Sequence, residues 1–293
     1  GTLTRNQPEV TGVVPADGFD RAQVLAFAAA VEQQSTHPLA AAIAAAGPEA
    51  PTASDISEEA GHGIGGTVEG RRVLVGSPRW IDAGPLKADV ERMESEGQTC
   101  VLVTVDDALA GAIGVRDELR PEVPEAVQAL HANDVEVSML TGDNTRTARA
   151  LAGIAGIDDV RAELRPEDKA SIVAEFSSKT PTAMIGDGIN DAPALAGATV
   201  GIAMGATGSD AAIESADVAF TGHDLRLIPK ALQHARRGSR IINQNIVLSL
   251  AIIIVLMPLA ISGVLGLAAV VLVHEVAEVI VILNGLRAAQ AKR

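Results

Sequence analysis

Ile185-Gly186-Asp187-Gly188-Ile189-Asn190-Asp191-Ala192-Pro193-Ala194-Leu195 is the stretch whose reading decides the fold of this 293-residue chain. Residues 182–185 before it read as a short apolar strand, and residues 192–196 after it read as a helix start. Gly186 and Gly188 permit a sharp turn between the two. In an open α/β sheet, polar groups at the carboxyl end of a strand face the ligand crevice, which is where Asp187, Asn190 and Asp191 would lie. Two carboxylates and an amide suit Mg²⁺, a hard cation that takes oxygen ligands and shares them with phosphate. Gly-Asp-Gly by itself reads as an ordinary surface turn; the surrounding motifs reverse that reading.

Residues 135–140 form a second apolar strand pattern, followed by Thr141-Gly142-Asp143-Asn144. A hydroxyl and free backbone amides at a strand-to-helix turn make a site for phosphate oxygens, because a helix amino end attracts anions. A third piece, Arg165-Pro166-Glu167-Asp168-Lys169, opens a helix. Pro166 fits its first turn, and Lys169 is placed to neutralise phosphate charge. Alone, Lys169 would be a surface lysine. The fourth piece is the amino end, Gly1-Thr2-Leu3-Thr4.

In this order the four pieces resemble the phosphorylation domain of P-type ATPases, which has a haloacid-dehalogenase-like fold. That family's signature reads Asp-Lys-Thr-Gly-Thr-Leu-Thr, with the Asp as the phosphorylated nucleophile. The chain begins at the Gly of the signature, so the resemblance implies that the nucleophile lies upstream, in a longer protein. It also implies ATP as substrate, Mg²⁺ at Asp187 and Asp191, and roles in phosphoryl transfer for Thr141, Gly142, Asp143, Lys169, Asn190 and Asp191.

Residues 18–110 narrow the subgroup. Ser35-Thr36-His37-Pro38-Leu39-Ala40 resembles the Ser-Glu-His-Pro-Leu element of the transition-metal P-type ATPases, and Glu32 stands five residues before His37. Gly61-His62-Gly63 matches the Gly-x-Gly loop of that subgroup, and Gly76-Ser77 stands where it has Gly-Asn. Glycines there allow close approach of backbone to a nucleotide. The resemblance implies a nucleotide-binding insertion using Glu32, His37, Pro38, Gly61, Gly63 and Gly76. Thr36 in place of Glu and Ser77 in place of Asn are departures, and a serine keeps only part of an amide's hydrogen-bonding capacity.

Composition is consistent with two soluble domains and a membrane part. Hydrophobic residues make up 47% of the chain, yet aromatics only 2%, with Tyr absent. A net charge of -14 argues against nucleic-acid binding, which calls for a basic stripe. Cys100 is the only cysteine, so no disulfide forms within the chain and no Cys-x-x-Cys metal tail is present. It sits beside an apolar run and reads as a small core residue.

The expected organisation has four parts: residues 1–17 as the start of the phosphorylation domain, 18–110 as the inserted α+β nucleotide-binding domain, 111–238 as the remainder, and 239–293 as a membrane hairpin with a short tail. Within the insertion, 21–31 reads as helix, and 66–68 with 73–75 as a hairpin across Glu69-Gly70. From residue 111 onward strands and helices alternate, which implies a parallel sheet with helices on both faces.

After Leu225 the character changes. Residues 225–239 read as an amphipathic helix, with a cationic cluster at Arg236, Arg237 and Arg240. Apolar stretches at 246–265 and 266–283 follow, each close to the ~20 residues that cross a bilayer. Cations on both outer flanks place both ends on the cytoplasmic side. The second stretch carries His274, Glu275 and Glu278, and ionisable groups in an apolar span are functional candidates because they are costly in lipid. Spacings of three and four put them on one helix face. Imidazole with carboxylate suits Zn²⁺, Co²⁺, Cd²⁺ or Ni²⁺ rather than Cu⁺. His274-Glu275 also resembles the His-Glu-Gly motif of the cobalt- or zinc-type branch, although Val276 follows here.

Taken together, the resemblance implies ATP-driven transport of a divalent transition metal by a multi-pass protein of the cell membrane, through an aspartyl-phosphate, with the soluble domains cytoplasmic. The chain as it stands, without the nucleophile, is expected to bind nucleotide and Mg²⁺ without turnover. The alternative is a membrane-tethered haloacid-dehalogenase-like phosphatase. A phosphatase has no need of the His-Pro and Gly-x-Gly pair.

Overall fold

A computed structural model describes residues 2–35, 37–47, 49–59, 62–186, 191–205 and 214–289. Asp187, Asn190 and Gly61 lie outside these described residues, as do Thr36 and residues 210–213. The chain divides into two compact units, Gly1–His131 with Val135–Asp224, and Ala132–Asp134 with Leu225–Arg293.

The first unit holds a six-stranded antiparallel sheet built from β1 (Thr4–Pro15), β2 (Ala53–Glu59), β3 (Gly63–Val68), β4 (Arg71–Gly76), β5 (Thr99–Val105) and β6 (Ala108–Leu119), in the order β1-β6-β5-β4-β3-β2. The β3–β4 hairpin turns at Glu69 and Gly70, with φ of 51° and 80°. Two successive positive φ angles are what a tight hairpin turn demands. Strand β5 is buried on both faces. Its Val101, Val103 and Val105 join a core with Val24, Val31 and Ile43, while Cys100 and Leu102 alternate into a second core with Leu86, Val90 and Met93. Period-two alternation sends successive side chains to opposite faces, so helices cover both sides of this sheet.

On the first face lie α1 (Arg21–Glu32) and α2 (Pro38–Ala46). Helix α1 starts at a capping box, in which the Gln23 amide donates to Asp20 at 2.8 Å and the Asp20 amide to the Gln23 side chain at 3.0 Å. On the second face lies α3 (Lys87–Ser95). Cys100 is buried there, as its apolar context leads one to expect, and burial pushes its thiol up to about 12.

The sheet extends beyond the expected boundaries at residues 17 and 110. Strand β1 pairs antiparallel with β6, Val10 opposite Val115 and Val13 opposite Ile113, so residues 4–15 and 108–119 belong to the inserted sheet. Both strands bury apolar side chains against α1, which ties them to the insertion.

The remainder of the unit alternates helix and strand: α4 (Val123–His131), β7 (Ser138–Leu140), α5 (Thr145–Ala155), β8 (Asp159–Arg161), α6 (Pro166–Lys179), β9 (Ala183–Gly186), α7 (Ala192–Gly197), β10 (Val200–Met204) and β11 (Val218–Phe220). Strands β9, β10 and β11 run parallel in the order β11-β10-β9, and β7 runs parallel to β8. The expected strand over 135–140 is formed only from Ser138. Insertion and remainder touch through α3 and α5: Arg146 pairs with Glu94 at 2.9 Å and Glu91 at 3.2 Å, and the Thr147 hydroxyl donates to the Gln98 carbonyl at 2.7 Å.

The second unit is a helical hairpin of α8 (Leu227–Ile261) and α9 (Leu267–Ala289). The expected separation of an amphipathic helix from an apolar one is absent: α8 is continuous for 35 residues, with Pro258 inside it. The turn at Gly263 has φ of 74°. The 23 residues of α9 rise about 35 Å, enough for a bilayer core of roughly 30 Å. Ile246, Ile254, Leu272 and Ile280 are exposed, so the apolar side chains face outward. Near the open end Asn284 donates to Asn245 at 2.8 Å and Asn245 to the Val281 carbonyl at 3.3 Å, joining the two helices.

Candidate functional site

Two clusters of the first unit hold the described phosphoryl-transfer candidates. At the end of β9, Gly186 lets Asp191 fold back: a Cβ on Gly186 would stand 2.9 Å from Asp191 Cβ and 3.1 Å from its Oδ2. Asp191 precedes α7 and makes no cap with its side chain. Its Oδ1 instead accepts from Lys169 Nζ at 3.0 Å, and the two side chains are only 18% and 13% exposed. Lys169 reaches it from the first turn of α6, which Pro166 opens and Asp168 stabilises by accepting from the Arg165 amide at 3.0 Å. A half-buried ammonium of this kind carries the charge that neutralising a phosphate requires. Hard oxygen donors of this kind also fit Mg²⁺.

The second cluster is the turn between β7 and α5. The Thr141 hydroxyl donates to Asp143 Oδ2 at 2.8 Å and accepts from the Asp143 amide at 3.2 Å. Its one donor is thus engaged inside the loop, and a phosphate oxygen would take it from Asp143. Asn144 caps α5 by accepting from the Thr147 amide at 2.9 Å. The loop is fastened to the chain leaving β8: Thr141 donates to the Arg161 carbonyl, Leu164 to Thr141, and Glu163 to Asp143. Glu163 Oε1 accepts from the Thr145 hydroxyl at 3.2 Å and pairs with Arg79 at 3.4 Å. Gly142 is exposed and sits 3.3 Å, at its would-be Cβ, from the Leu164 carbonyl.

The nucleotide-site candidates gather at one end of the inserted sheet. His37 caps α2, its Nδ1 accepting from the Leu39 amide at 3.2 Å. That bond leaves the other ring nitrogen, Nε2, as the donor. Its own amide donates to Ser35 Oγ at 3.1 Å, and Ser35 donates to Glu58 at 3.0 Å. Gly63 faces Gly76 across β3 and β4. Both approach backbone closely: a Cβ on Gly63 would lie 2.1 Å from the Val75 carbonyl oxygen, and one on Gly76 would lie 2.8 Å from that of His62. Among the described residues Ser77 Oγ is buried without a partner, a polar atom whose position suits a polar ligand.

Glu32 closes α1 in a buried position, 8% exposed. Burial, helped by the nearby Glu58 charge, pushes its carboxyl up to about 7 from 4.5. An acid with a raised folded-state value holds a proton that the unfolded chain has already released. Stability therefore falls as pH rises from 4.5 to 7, and the loss is complete above that window, at about 3 kcal/mol. Glu32→Gln, which keeps the shape of the neutral acid, is expected to raise the melting temperature at pH 8 and to have little effect at pH 4.5. Thermal unfolding by circular dichroism at both values checks this; an equal shift at both would contradict it.

In α9, His274, Glu275 and Glu278 are all exposed. Among the described residues no group of three or more His, Cys, Asp or Glu side chains is arranged to hold a metal. The trio shares a helix but does not close a site by itself.

A model of the haloacid dehalogenase-like hydrolase family matches residues 1–199. The chain is 59% identical over 240 residues to the "Probable cation-transporting ATPase G" of Mycobacterium bovis, covering 82% of this chain and 31% of that protein. It is 43% identical over 275 residues to the "Copper-transporting ATPase 1" of Rhizobium meliloti, covering 90% and 33%. The crystal structure of a zinc-transporting PIB-type ATPase in its E2·Pi state matches with a TM-score of 0.74 at 40% identity, over 99% of this chain and 48% of that one. The chain belongs to the heavy-metal P-type ATPases of the haloacid dehalogenase-like family. It spans about a third to a half of the length of these relatives. Their names cover an unspecified cation, copper and zinc, so membership of the family leaves the metal open.

Two contacts of this P-type ATPase chain had no signal in the sequence. Glu163 and Thr147 brace the Thr141–Asn144 turn through bonds between distant segments. Neither belongs to a motif.

Proposed function

We propose that this chain forms the nucleotide-binding and phosphorylation parts and a membrane hairpin of a pump that moves a divalent transition metal across the cell membrane at the expense of ATP. The observation that carries the proposal is the Lys169–Asp191 pair at the end of β9, in a chain that continues into two helices long enough to cross a bilayer. Residues 18–110, with the flanking strands β1 and β6, would bind ATP through Glu32, His37, Pro38, Gly61, Gly63 and Gly76.

Thr141 and Gly142 would hold the transferred phosphoryl oxygens and Lys169 would neutralise them. Asp143 would release the Thr141 hydroxyl, and Asn190 and Asp191 would orient the metal-bound waters. Mg²⁺ held by Asp187 and Asp191 would supply the remaining charge compensation. Positioning and electrostatics of this kind carry most of the catalysis of phosphoryl transfer. On this reading the nucleophilic aspartate would precede Gly1-Thr2-Leu3-Thr4, and these 293 residues by themselves would bind nucleotide without turnover. His274, Glu275 and Glu278 would contribute imidazole and carboxylate to a transport site completed by groups outside α9. That donor chemistry favours Zn²⁺, Co²⁺, Cd²⁺ or Ni²⁺ over Cu⁺. Arg236, Arg237 and Arg240 before the first span and Arg287 after the second would keep the soluble part cytoplasmic.

The test is ATP hydrolysis by the full-length parent in detergent, with Zn²⁺, Co²⁺, Cd²⁺, Ni²⁺ and Cu⁺ in parallel. Stimulation by a divalent ion, lost in a His274→Ala, Glu275→Ala double variant, is expected. Vanadate-insensitive phosphatase activity indifferent to every metal would instead establish the phosphatase reading.

A further inference from the structure

Trp80 is the only tryptophan of a chain with no tyrosine, and it stands at the nucleotide-site candidates without belonging to any of their motifs. The turn after β4 brings it there: the Trp80 amide donates to the Ser77 carbonyl at 2.9 Å and the Ile81 amide to the same oxygen at 3.0 Å. The indole is thereby folded back onto the end of the hairpin. A Cβ on Gly76 would lie 2.4 Å from Trp80 Cε3, so only glycine lets the ring rest on the strand. The ring also meets His62 of the Gly-His-Gly loop edge to face, with centroids 5.7 Å apart and planes at 70°. The Ser77 amide donates to the His62 carbonyl at 3.1 Å, and Ser77 Oγ is buried with no partner among the described residues. Gly63 and Gly76 are thus packed against backbone and against the Trp80 ring, with the His62 imidazole beside it. Trp80 stays 37% exposed, so part of the residue is open to solvent beside these glycines.

We propose that Trp80 is a base-contacting residue of the nucleotide site, its partly exposed indole stacking on a purine and setting the preference for purine over pyrimidine nucleotides. This rests on the reading of His37, Gly61–Gly63 and Gly76 as the nucleotide site. Stacking of a base on an aromatic side chain depends on overlapping area, so a two-ring base gains more than a one-ring base.

Because the chain has one tryptophan and no tyrosine, emission excited at long ultraviolet wavelength reports Trp80 alone. The experiment uses the full 293-residue chain in detergent, wild type, Trp80→Ala and Trp80→Phe, with folding checked by circular dichroism. Binding of ATP, CTP and tripolyphosphate is measured by equilibrium dialysis alongside the emission. ATP is expected to quench Trp80 emission. Trp80→Ala should lose ATP affinity roughly tenfold while CTP and tripolyphosphate change little, so that the ATP-to-CTP ratio falls towards one. Trp80→Phe should restore most of that ratio, which a general loss of packing would not permit. ATP binding without a change in emission, or equal losses for ATP and CTP in Trp80→Ala, overturns the proposal and leaves the nucleotide site standing. A wild-type chain that binds tripolyphosphate but no nucleotide, or neither, overturns the nucleotide reading itself and Trp80's role with it.

Discussion

Lys169→Ala in the full-length parent is expected to lower ATP hydrolysis by about 100-fold or more, the scale for removing one preorganised charge-stabilising group from a reacting centre. Lys169 Nζ is 3.0 Å from Asp191 Oδ1 in a half-buried pair. The substitution removes the ammonium that pairs with Asp191 and is proposed to neutralise the phosphoryl oxygens, and it leaves a carboxylate behind. Both changes raise the local negative charge where transfer requires it to be neutralised. ATP binding should fall far less than turnover, because the proposed nucleotide contacts lie in the inserted sheet and not at Lys169. Lys169→Arg keeps the charge and should recover part of the rate, since a planar guanidinium does not take the place of a compact ammonium. Steady-state kinetics of the three proteins decide it: a Lys169→Ala enzyme with unchanged kcat would remove Lys169 from the reaction.

The second large effect is structural. Gly63→Ala is expected to cost about 3 kcal/mol or more, at the upper end of the range for overpacking. A Cβ there would meet the Val75 carbonyl oxygen at 2.1 Å and Gly76 Cα at 2.6 Å. Both are backbone atoms, so no side chain can swing aside and β3 would have to part from β4. Gly70 offers a control. It has φ of 80° with nothing within 4 Å of its would-be Cβ, and Gly70→Ala should cost only about 1 kcal/mol for its backbone conformation. Urea unfolding of both variants measures the gap, and equal losses would show that close approach is not what fixes Gly63.

The parts of this fold legible in the sequence are those encoded locally. Glu69-Gly70 between two apolar runs marks the β3–β4 hairpin, and Gly186 marks the end of the strand that Asp191 packs against. Helix α5 begins at Thr145, directly after the Thr141–Asn144 turn, and the apolar lengths of α8 and α9 read directly from their composition. What was not legible depends on partners far away in the chain. Residues 4–15 carry a strand pattern, but nothing in it says that the partner is 108–119 rather than a strand of the phosphorylation domain. Residues 135–137 look like the start of β7 yet stay outside it, because the pairing with β8 begins only at Ser138. Helix α8 runs unbroken through its change from basic to apolar character, since no helix-breaking residue stands between Arg240 and Ile246. The motif lysine and aspartate were separately visible; their 3.0 Å contact, Trp80 over Gly76 and the Asn245–Asn284 bridge were not.

The measurement that bears most directly on the proposed function is ATP-dependent uptake of radioactive zinc into sealed inside-out vesicles carrying the full-length parent. Uptake that requires ATP, is blocked by vanadate and is lost in Lys169→Ala is the expected result. Vesicles that hydrolyse ATP at the same rate with and without zinc, cobalt, cadmium or nickel, and accumulate none of them, would contradict it.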